Sequence, residues 1–463
     1  MKRRDFLKAV SFGAAALAMP GCAGTLQHVA KGKKPNIVYI MLDELGYFEL
    51  SCMGNKYLKT PNIDRMATEG MRFTQALAGG PVCAPTRCAL MTGQHTGYCT
   101  VRMNSQVWPM RAEDVTVAEV LKQAGYATGG FGKWGCGDRG TTGVPEKHGF
   151  DIFFGYYNQT HAHSYYPCYL VRNGEKVPLE GNTGDFYKGE QFSHYLIFGE
   201  SIKFIRENKD RPFFCYCAWT PPHGRWGTPE DEPAWQQFKD KQWPSRDAKV
   251  YAAMVKMVDR QIGQMFALLR ELDLDDDTIV FVCGDNGGKR YFGDFFEPNR
   301  DFRGEKGNLY EGGLRVPMIV RWPGKIKPGA VSDHLWYFPD VMPTLAELAG
   351  VEPPDNIDGI SIVPTLLGES AAGRKQKEHK FLYWEHKEQV AVRMGNFKVV
   401  QPGKNKPFEL YDLSKDIGEK NNIASEHPDS LAKMKAYARQ SHTENLIGDV
   451  LDKEKRFKGH AFH

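Results

Sequence analysis

The sequence predicts an α/β protein: a large, mostly parallel sheet with helices on both faces, plus a small C-terminal subdomain on an antiparallel sheet. Three observations carry that prediction. Short, uniformly apolar runs rich in β-branched and aromatic residues recur along most of the chain, as strands inside a parallel sheet do. Amphipathic helical patterns lie between them, and this alternation implies helices covering both sheet faces. From about Lys375 the texture changes to short alternating strands separated by turn residues. The 463 residues, 41% apolar and 12% aromatic, supply a core of ordinary density and exclude disorder for the bulk of the chain.

In chain order, residues 1–21 contain Arg3-Arg4 ahead of Phe6, Leu7 and Lys8, then a short apolar stretch at 9–19. The segment resembles a bacterial twin-arginine export signal, and it is too brief to span a bilayer, which takes about 20 residues. Met19-Pro20-Gly21-Cys22 resembles a lipoprotein cleavage box with Cys22 as the acylated residue, although Pro20 is an unusual occupant. The expected destination is the periplasm of a bacterium, free or tethered by lipid, with no membrane span. Residues 22–34 read as a linker.

The catalytic unit is expected at 35–374 and the C-terminal subdomain at 375–463. NIVYIML (36–42), YATGGFG (126–132), PFFCYCAW (212–219), TIVFVCG (278–284) and PMIVRW (317–322) are the strand-like runs. VTVAEVLKQAG (115–125) repeats apolar residues at helical spacing and stops at Gly125. A longer helix is predicted from about Tyr251 to Leu272, with Met254, Val258, Ile262 and Met265 on one stripe. Near the end, FLYWEH, QVAVRMGNFKVVQ and FELYDLSKD read as strands, followed by a helix near 431–437.

The net charge of +4 is misleading as a whole-chain figure. Lys2, Arg3, Arg4 and Lys8 against Asp5 place +3 in the export segment, which leaves +1 for the rest. A nucleic-acid partner, which needs a clustered basic excess on the folded body, is therefore not expected. Neither a CxxC pair nor His/Cys zinc spacing occurs among the ten cysteines. Cys215 and Cys217 alternate with Tyr216 and share a strand face as small apolar residues.

Ligands of open α/β sheets bind beyond the carboxyl ends of the strands. Asp43 and Glu44 follow the first run, Lys133 the second, His223 the third, and Asp285 with Asn286 the fourth. Taken singly these are a helix cap, a solvated lysine, a loop histidine and a turn; their recurrence at one structural position argues for a site. Three carboxylates and an amide suit a hard cation such as Ca²⁺ and suit zinc poorly. Lysines and a histidine nearby suit an anionic substrate.

PVCAPTRCALMTGQHTG (81–97) is more particular. Cys83 at a helix start beside Arg87 has a general-purpose reading as an activated thiolate. The spacing C-x-P-T-R-x-x-x-x-T-G, however, resembles the signature of type I sulfatases, in which the cysteine is oxidised to Cα-formylglycine. The resemblance runs collinearly through LDELGY (42–47), TPNIDRMATEGMRF (60–73), FGKWG (131–135), WTPPHG (219–224), CGDNGG (283–288), GEKGNLYEGGLRVPMIVRWPG (304–324), DHLWYFPDVMPTLAELAG (333–350) and ELYDLSKDIGEKNNIA (409–424).

The resemblance implies an alkaline phosphatase-like fold and a set of roles. Asp43, Asp285 and Asn286 would bind one Ca²⁺ with the modified Cys83, and Glu44 stands where the family usually has a second Asp. Arg87 would hold the formylglycine hydrate, Lys133 and Lys306 would grip sulfate oxygens, and His223 would protonate the departing alcohol. One hydroxyl of the hydrate would attack sulfur and the other would later expel sulfate. A formylglycine-generating enzyme and the twin-arginine export machinery are implied as partners.

Many relatives read G-K-W-H where this chain has Gly135. Either another group supplies that histidine's contact or the chain does without it. His161 and His163, in GYYNQTHAHSYYP, are the candidates to replace that histidine, with His163 preferred over His161 and a purely structural role as the alternative; period-two spacing puts both rings on one face if the segment is extended. Tyr157, Tyr165, Tyr166 and Trp226 are candidates for an aromatic rim, and His161, Arg102 and Asn104 for contacts to a sulfated carbohydrate. The alternatives are a phosphate or phosphonate monoester hydrolase of the same superfamily and an inactive sulfated-glycan binding protein.

Overall fold

The computed structural model describes residues 33–105 and 108–453. The export segment, Cys22 and nearly all of the linker lie outside the described residues. Strand β1 (Asn36–Leu42) is buried along its whole length. The short strands β2 (Met71–Phe73) and β3 (Ala76–Leu77) follow, and then β4 (Ala127–Lys133), β5 (Ile152–Tyr156), β6 (Tyr169–Arg172) and β7 (Glu175–Pro178) build one wing. The chain returns to the centre with β8 (Phe213–Trp219) and β9 (Thr278–Gly284) before β10 (Tyr291–Asp294), β11 (Met318–Arg321), β12 (Ala330–Ser332) and β13 (Trp336–Tyr337). The main sheet has ten strands in the order β12-β2-β11-β9-β1-β8-β4-β5-β6-β7.

The centre is parallel, as predicted: β1 pairs with β8 and β9, and β4 with β8 and β5. The edges depart from that expectation. β11 runs antiparallel to β9 and β2, and β5, β6 and β7 form an antiparallel meander. The reason lies in the connection after β9. Residues 285–317 stay at the carboxyl end of the sheet instead of crossing back, so the chain enters β11 from that same end.

Both faces are covered. Ile37, Tyr39 and Met41 point into one core with Leu121, Met342 and Leu345, while Val38, Ile40 and Leu42 point into the other with Met254, Val258 and Ile262. The helix Val117–Gln123 opens on a reciprocal capping box between Thr116 and Glu119. The helix Arg246–Glu271 begins ahead of its apolar stripe because the Ser245 side chain caps Ala248 N. A stripe marks where burial starts; the cap marks where the helix starts.

In the C-terminal segment β14 (Leu382–His386), β15 (Gln389–Met394), β16 (Phe397–Gln401) and β17 (Glu409–Asp412) form an antiparallel sheet in sequence order. The helix Pro428–Gln440 covers one face through Met434, Tyr437 and Ala438. Trp384, Ala391, Val400 and Tyr411 on the other face pack on Leu77, Leu309, Leu314 and Tyr337 of the larger unit. Lys398 pairs across this junction with Glu311 at 3.0 Å and reaches Glu419 at 2.9 Å, all three buried. Among the described residues no helix is long and apolar enough to cross a membrane.

Candidate active site

The backbone of the central strands sets the site. Asp43 directly follows β1, and its N–H donates to the Trp219 carbonyl at the end of β8, 3.1 Å away. Asp285 directly follows β9 and donates to the Leu42 carbonyl, also at 3.1 Å. Lys133 is the last residue of β4. His223 stands in the loop after β8, its N–H donating to the Thr220 carbonyl at 2.9 Å. Cys83 opens the helix Cys83–Thr92, whose N-terminal dipole favours an anion. Lys306 is brought in by a loop stapled to the segment before Cys83, since Gly307 N–H donates to the Pro81 carbonyl at 2.9 Å.

These groups converge. Cys83 Sγ lies 3.2 Å from Asp43 Oδ1 and 3.4 Å from Lys306 Nζ. Lys133 Nζ bonds Asp43 Oδ2 at 2.6 Å. Arg87 donates through Nη2 to Asp285 Oδ2 at 3.0 Å and through Nη1 to the Lys133 carbonyl at 2.7 Å. Lys306 Nζ stands 3.4 Å from His223 Nε2 and also bonds the Glu44 carboxylate. Asp43, Glu44 and Asp285 thus face Arg87 and Lys133, all five buried, together with the partly buried Lys306.

The electrostatics follow from that packing. Burial pushes Asp43 up, but Lys133, His223, Arg87 and Lys306 outweigh it and hold the carboxyl well below its usual range. Asp285 goes the other way, to about 6, through burial and the neighbouring Asp43 charge. Glu44 sits at about 2 because His223 and Lys306 overcome its burial. Burial first, and Asp43 next, push the Cys83 thiol up to about 12. The environment therefore disfavours the activated-thiolate reading: near neutral pH an unmodified Cys83 here keeps its proton.

Two donor sets bear on a metal. Ligand atoms of Asp43, Cys83 and His223 lie within 4.8 Å of one another, a mixture that alone would suit a softer ion. Lys306 Nζ, however, contacts both the thiol and the imidazole of that set. The oxygen set is the better fit for a hard cation: Asp43 and Asp285 are fully buried carboxylates, and Asn286 Oδ1 is buried without a hydrogen-bond partner. Asn286 Nδ2 is occupied by the Gly287 carbonyl at 3.0 Å, which turns the oxygen away from that bond.

Other predicted residues are placed differently. Residues His161–His163 form a 3₁₀ turn, not an extended strand, so the two rings diverge. His161 is buried against Tyr156 and Tyr169, with Nε2 2.8 Å from the Tyr169 carbonyl, and offers no surface to a substrate. His163 instead stacks on His223. Arg102 is spent on the Cys99 and Thr443 carbonyls, the Thr443 hydroxyl and Glu385. Asn104 Oδ1 accepts from Ala84 N–H at 3.0 Å, satisfying a first-turn amide of the Cys83 helix. Tyr157, Tyr165 and Tyr166 are buried and pack beneath the rim.

Glu44 keeps its backbone beside Asp285, with its N–H donating to Asp285 Oδ1 at 3.0 Å. Its φ of 62° is in the left-handed region, and its carboxylate lies among Lys306, His223 and Tyr291. There Tyr291 Oη donates to the carboxylate at 2.9 Å. Neither Tyr291 nor Gln159 is legible as a site residue: Tyr291 opens the short strand β10, and Gln159 lies in the segment where only the two histidines draw attention. A Cβ at Gly135 would lie 2.4 Å from Gln159 Nε2, so the Gln159 amide occupies the space beside this glycine.

Comparison with known proteins identifies the family. The Sulfatase family profile matches residues 35–351, and the profile of the N-sulphoglucosamine sulphohydrolase C-terminal region matches 304–443. Human arylsulfatase A is 31% identical over 447 residues, covering 85% of this chain and 84% of its own. The N-acetylgalactosamine-6-O-sulfatase of Bacteroides thetaiotaomicron is 30% identical, covering 89% and 95%. The crystal structure of Ps i-CgsB in complex with k-i-k-neocarrahexaose superposes with a TM-score of 0.76 at 26% identity, covering 91% and 96%. Fold and site together define a sulfuric ester hydrolase on the alkaline phosphatase fold. The chain belongs to the type I sulfatase family.

Proposed function

We propose that the protein hydrolyses a sulfate ester on a sulfated carbohydrate, using a formylglycine made from Cys83 and one Ca²⁺, and releases inorganic sulfate and an alcohol. The observation that carries the reading is the position of Cys83: first residue of a helix, between Asp43 Oδ1 at 3.2 Å and Lys306 Nζ at 3.4 Å. The sugar class is supported by the relatives, which include an N-acetylgalactosamine-6-O-sulfatase and a structure holding a neocarrahexaose.

A formylglycine supplies an aldehyde hydrate as nucleophile, and a Ca²⁺ held by Asp43, Asp285, Asn286 and Glu44 supplies positive charge against sulfate oxygens. The chain's own groups do the rest. Lys133 and Lys306 present ammonium groups to the sulfuryl oxygens. Arg87, locked by Asp285 and the Lys133 carbonyl, fixes the residue-83 side of the pocket. His223 gives its proton to the leaving alcohol.

In the free protein His223 is held down to about 4, chiefly by burial, with Lys306 and Lys133 opposing the lift from Glu44 and Asp43. An anionic ester paired with those lysines removes their opposition and adds negative charge. Both effects raise His223 toward the protonated form the step requires.

The same reading takes residues 35–374 as the catalytic unit, 375–463 as its C-terminal subdomain, and the N-terminal segment as an export signal with Cys22 as a lipidation site. Parallel assays with an aryl sulfate, an aryl phosphate and a panel of sulfated mono- and disaccharides test the function. Sulfate release from a sugar, with the aryl phosphate much slower, is expected; preference for the phosphate overturns it.

A further inference from the structure

Resting on the sulfatase reading, we propose that Gln159 is an additional oxyanion-binding residue, its side-chain amide donating to an oxygen of the sulfuryl group. Gln159 is only 6% exposed, and both Nε2 and Oε1 are buried without a hydrogen-bond partner. Buried amides in that condition are rare in native proteins and call for an explanation.

The amide's position supplies one. β5 is parallel to β4 and ends on the same rim. Gly135 N–H donates to the Tyr157 carbonyl at 3.0 Å, which holds the segment leading to Gln159 beside the end of β4. The Cβ position of Gly135 is 2.4 Å from Gln159 Nε2 and 3.4 Å from Arg87 Cδ, so amide and arginine stem flank one point. Arg87 lies one helical turn beyond Cys83, and the two side chains leave the same face of the helix Cys83–Thr92. Gln159 therefore reaches the wall from which residue 83 works.

The chemistry selects the ligand. The amide oxygen can be served by a donor such as the Arg87 guanidinium, whose Nε is itself buried without a partner, whereas the amide hydrogens need an acceptor that Arg87 cannot supply. A tetrahedral oxyanion brings the missing acceptors. A neutral donor also binds it without disturbing a pocket in which three carboxylates, Asp43, Glu44 and Asp285, already face three basic side chains, Arg87, Lys133 and Lys306.

The test uses full-length Cys83→Ala protein, which cannot turn over, titrated calorimetrically with inorganic sulfate in the presence of Ca²⁺. Adding Gln159→Met, of similar size but without a donor, should weaken sulfate binding about tenfold. Gln159→Glu, which places a carboxylate at the same spot, should weaken it further. The Met variant should also match or exceed the parent in Tm without sulfate, because it removes an unpaired buried amide. Lower affinity with undiminished stability is a pattern that a merely structural glutamine does not produce. Unchanged sulfate affinity in both variants overturns the assignment while leaving the sulfatase reading intact. Failure of the Cys83→Ala parent to bind sulfate overturns both.

Discussion

The imidazole of His163 lies flat on that of His223, ring centroids 4.8 Å apart and planes 10° from parallel. Burial lowers both, His163 to about 3 and His223 to about 4, so two neutral rings stack in the free protein. On the proposed mechanism, in which His223 delivers a proton, His163 would offer an aromatic face to the imidazolium. His163 is therefore expected to act as a positioning residue. His163→Ala should lower kcat about tenfold with KM little changed, the size of effect expected when a proton donor is misplaced. His163→Phe keeps the stacking surface and should recover most of the loss. Steady-state kinetics on the three proteins decide it, and an Ala variant with wild-type kcat removes His163 from the site.

Cys83 is expected to be a cysteine only before maturation. Mass analysis of the tryptic peptide containing position 83 should show the aldehyde, not the thiol, in active protein. Cys83→Ala should lower kcat by at least about a thousandfold, as loss of a nucleophile does, while Tm moves by only a few degrees. Active protein whose position 83 is entirely thiol would falsify the formylglycine reading.

The oxygen set predicts a dependence on Ca²⁺ with a signature in stability. Asn286 Oδ1 is the one member that holds no hydrogen bond in the pocket, so removing it costs little in the ligand-free fold. Chelation should abolish activity, and added Ca²⁺ should restore it and raise Tm by mass action. Asn286→Ala should weaken the Ca²⁺ midpoint by about ten- to a hundredfold, in keeping with ~1.5–3 kcal/mol for a hydrogen-bond-like contact to a charge. A midpoint unchanged by the substitution would take Asn286 out of the metal site.

Strands buried on both faces write themselves as continuous apolar runs, which is why β1, β8 and β9 were legible to within a residue or two. Their direction was not. β11 carries the same kind of run, but its antiparallel sense depends on where residues 285–317 travel, and no periodicity records that. The site divides similarly. Asp43, Lys133 and Asp285 are legible as candidates because strand ends fix where a side chain goes, and Cys83 because of the motif around it, and the structure brings these four together. Arg102, His161 and Gln159 depend on loop conformation: the first binds Thr443 across the chain, the second is buried by a 3₁₀ turn, and the third lies beside a glycine. Spacing alone carries none of that information.

Glu49 offers a measurement of burial energetics just behind the candidate site. Its carboxyl is fully buried, with Oε2 accepting from Gly46 N–H at 2.7 Å. Burial first, and the charge of Glu44 last, push it from 4.5 to about 7 against the pull of Tyr251 and Gly46. A carboxyl whose folded value is raised contributes stability that is fully present below 4.5 and is lost as pH rises through about 7, because the unfolded chain ionises first. The whole effect is of order ~3 kcal/mol, taking 1.36 kcal/mol per pKa unit. Glu49→Gln mimics the protonated form at every pH. Thermal unfolding of the two proteins at pH 5 and pH 8 should therefore show wild type losing Tm on going to pH 8 and the Gln variant losing less, with the variant more stable by a few degrees at the higher pH. Parallel curves for the two would mean that Glu49 ionises in the folded protein as it does in water, against what its burial requires.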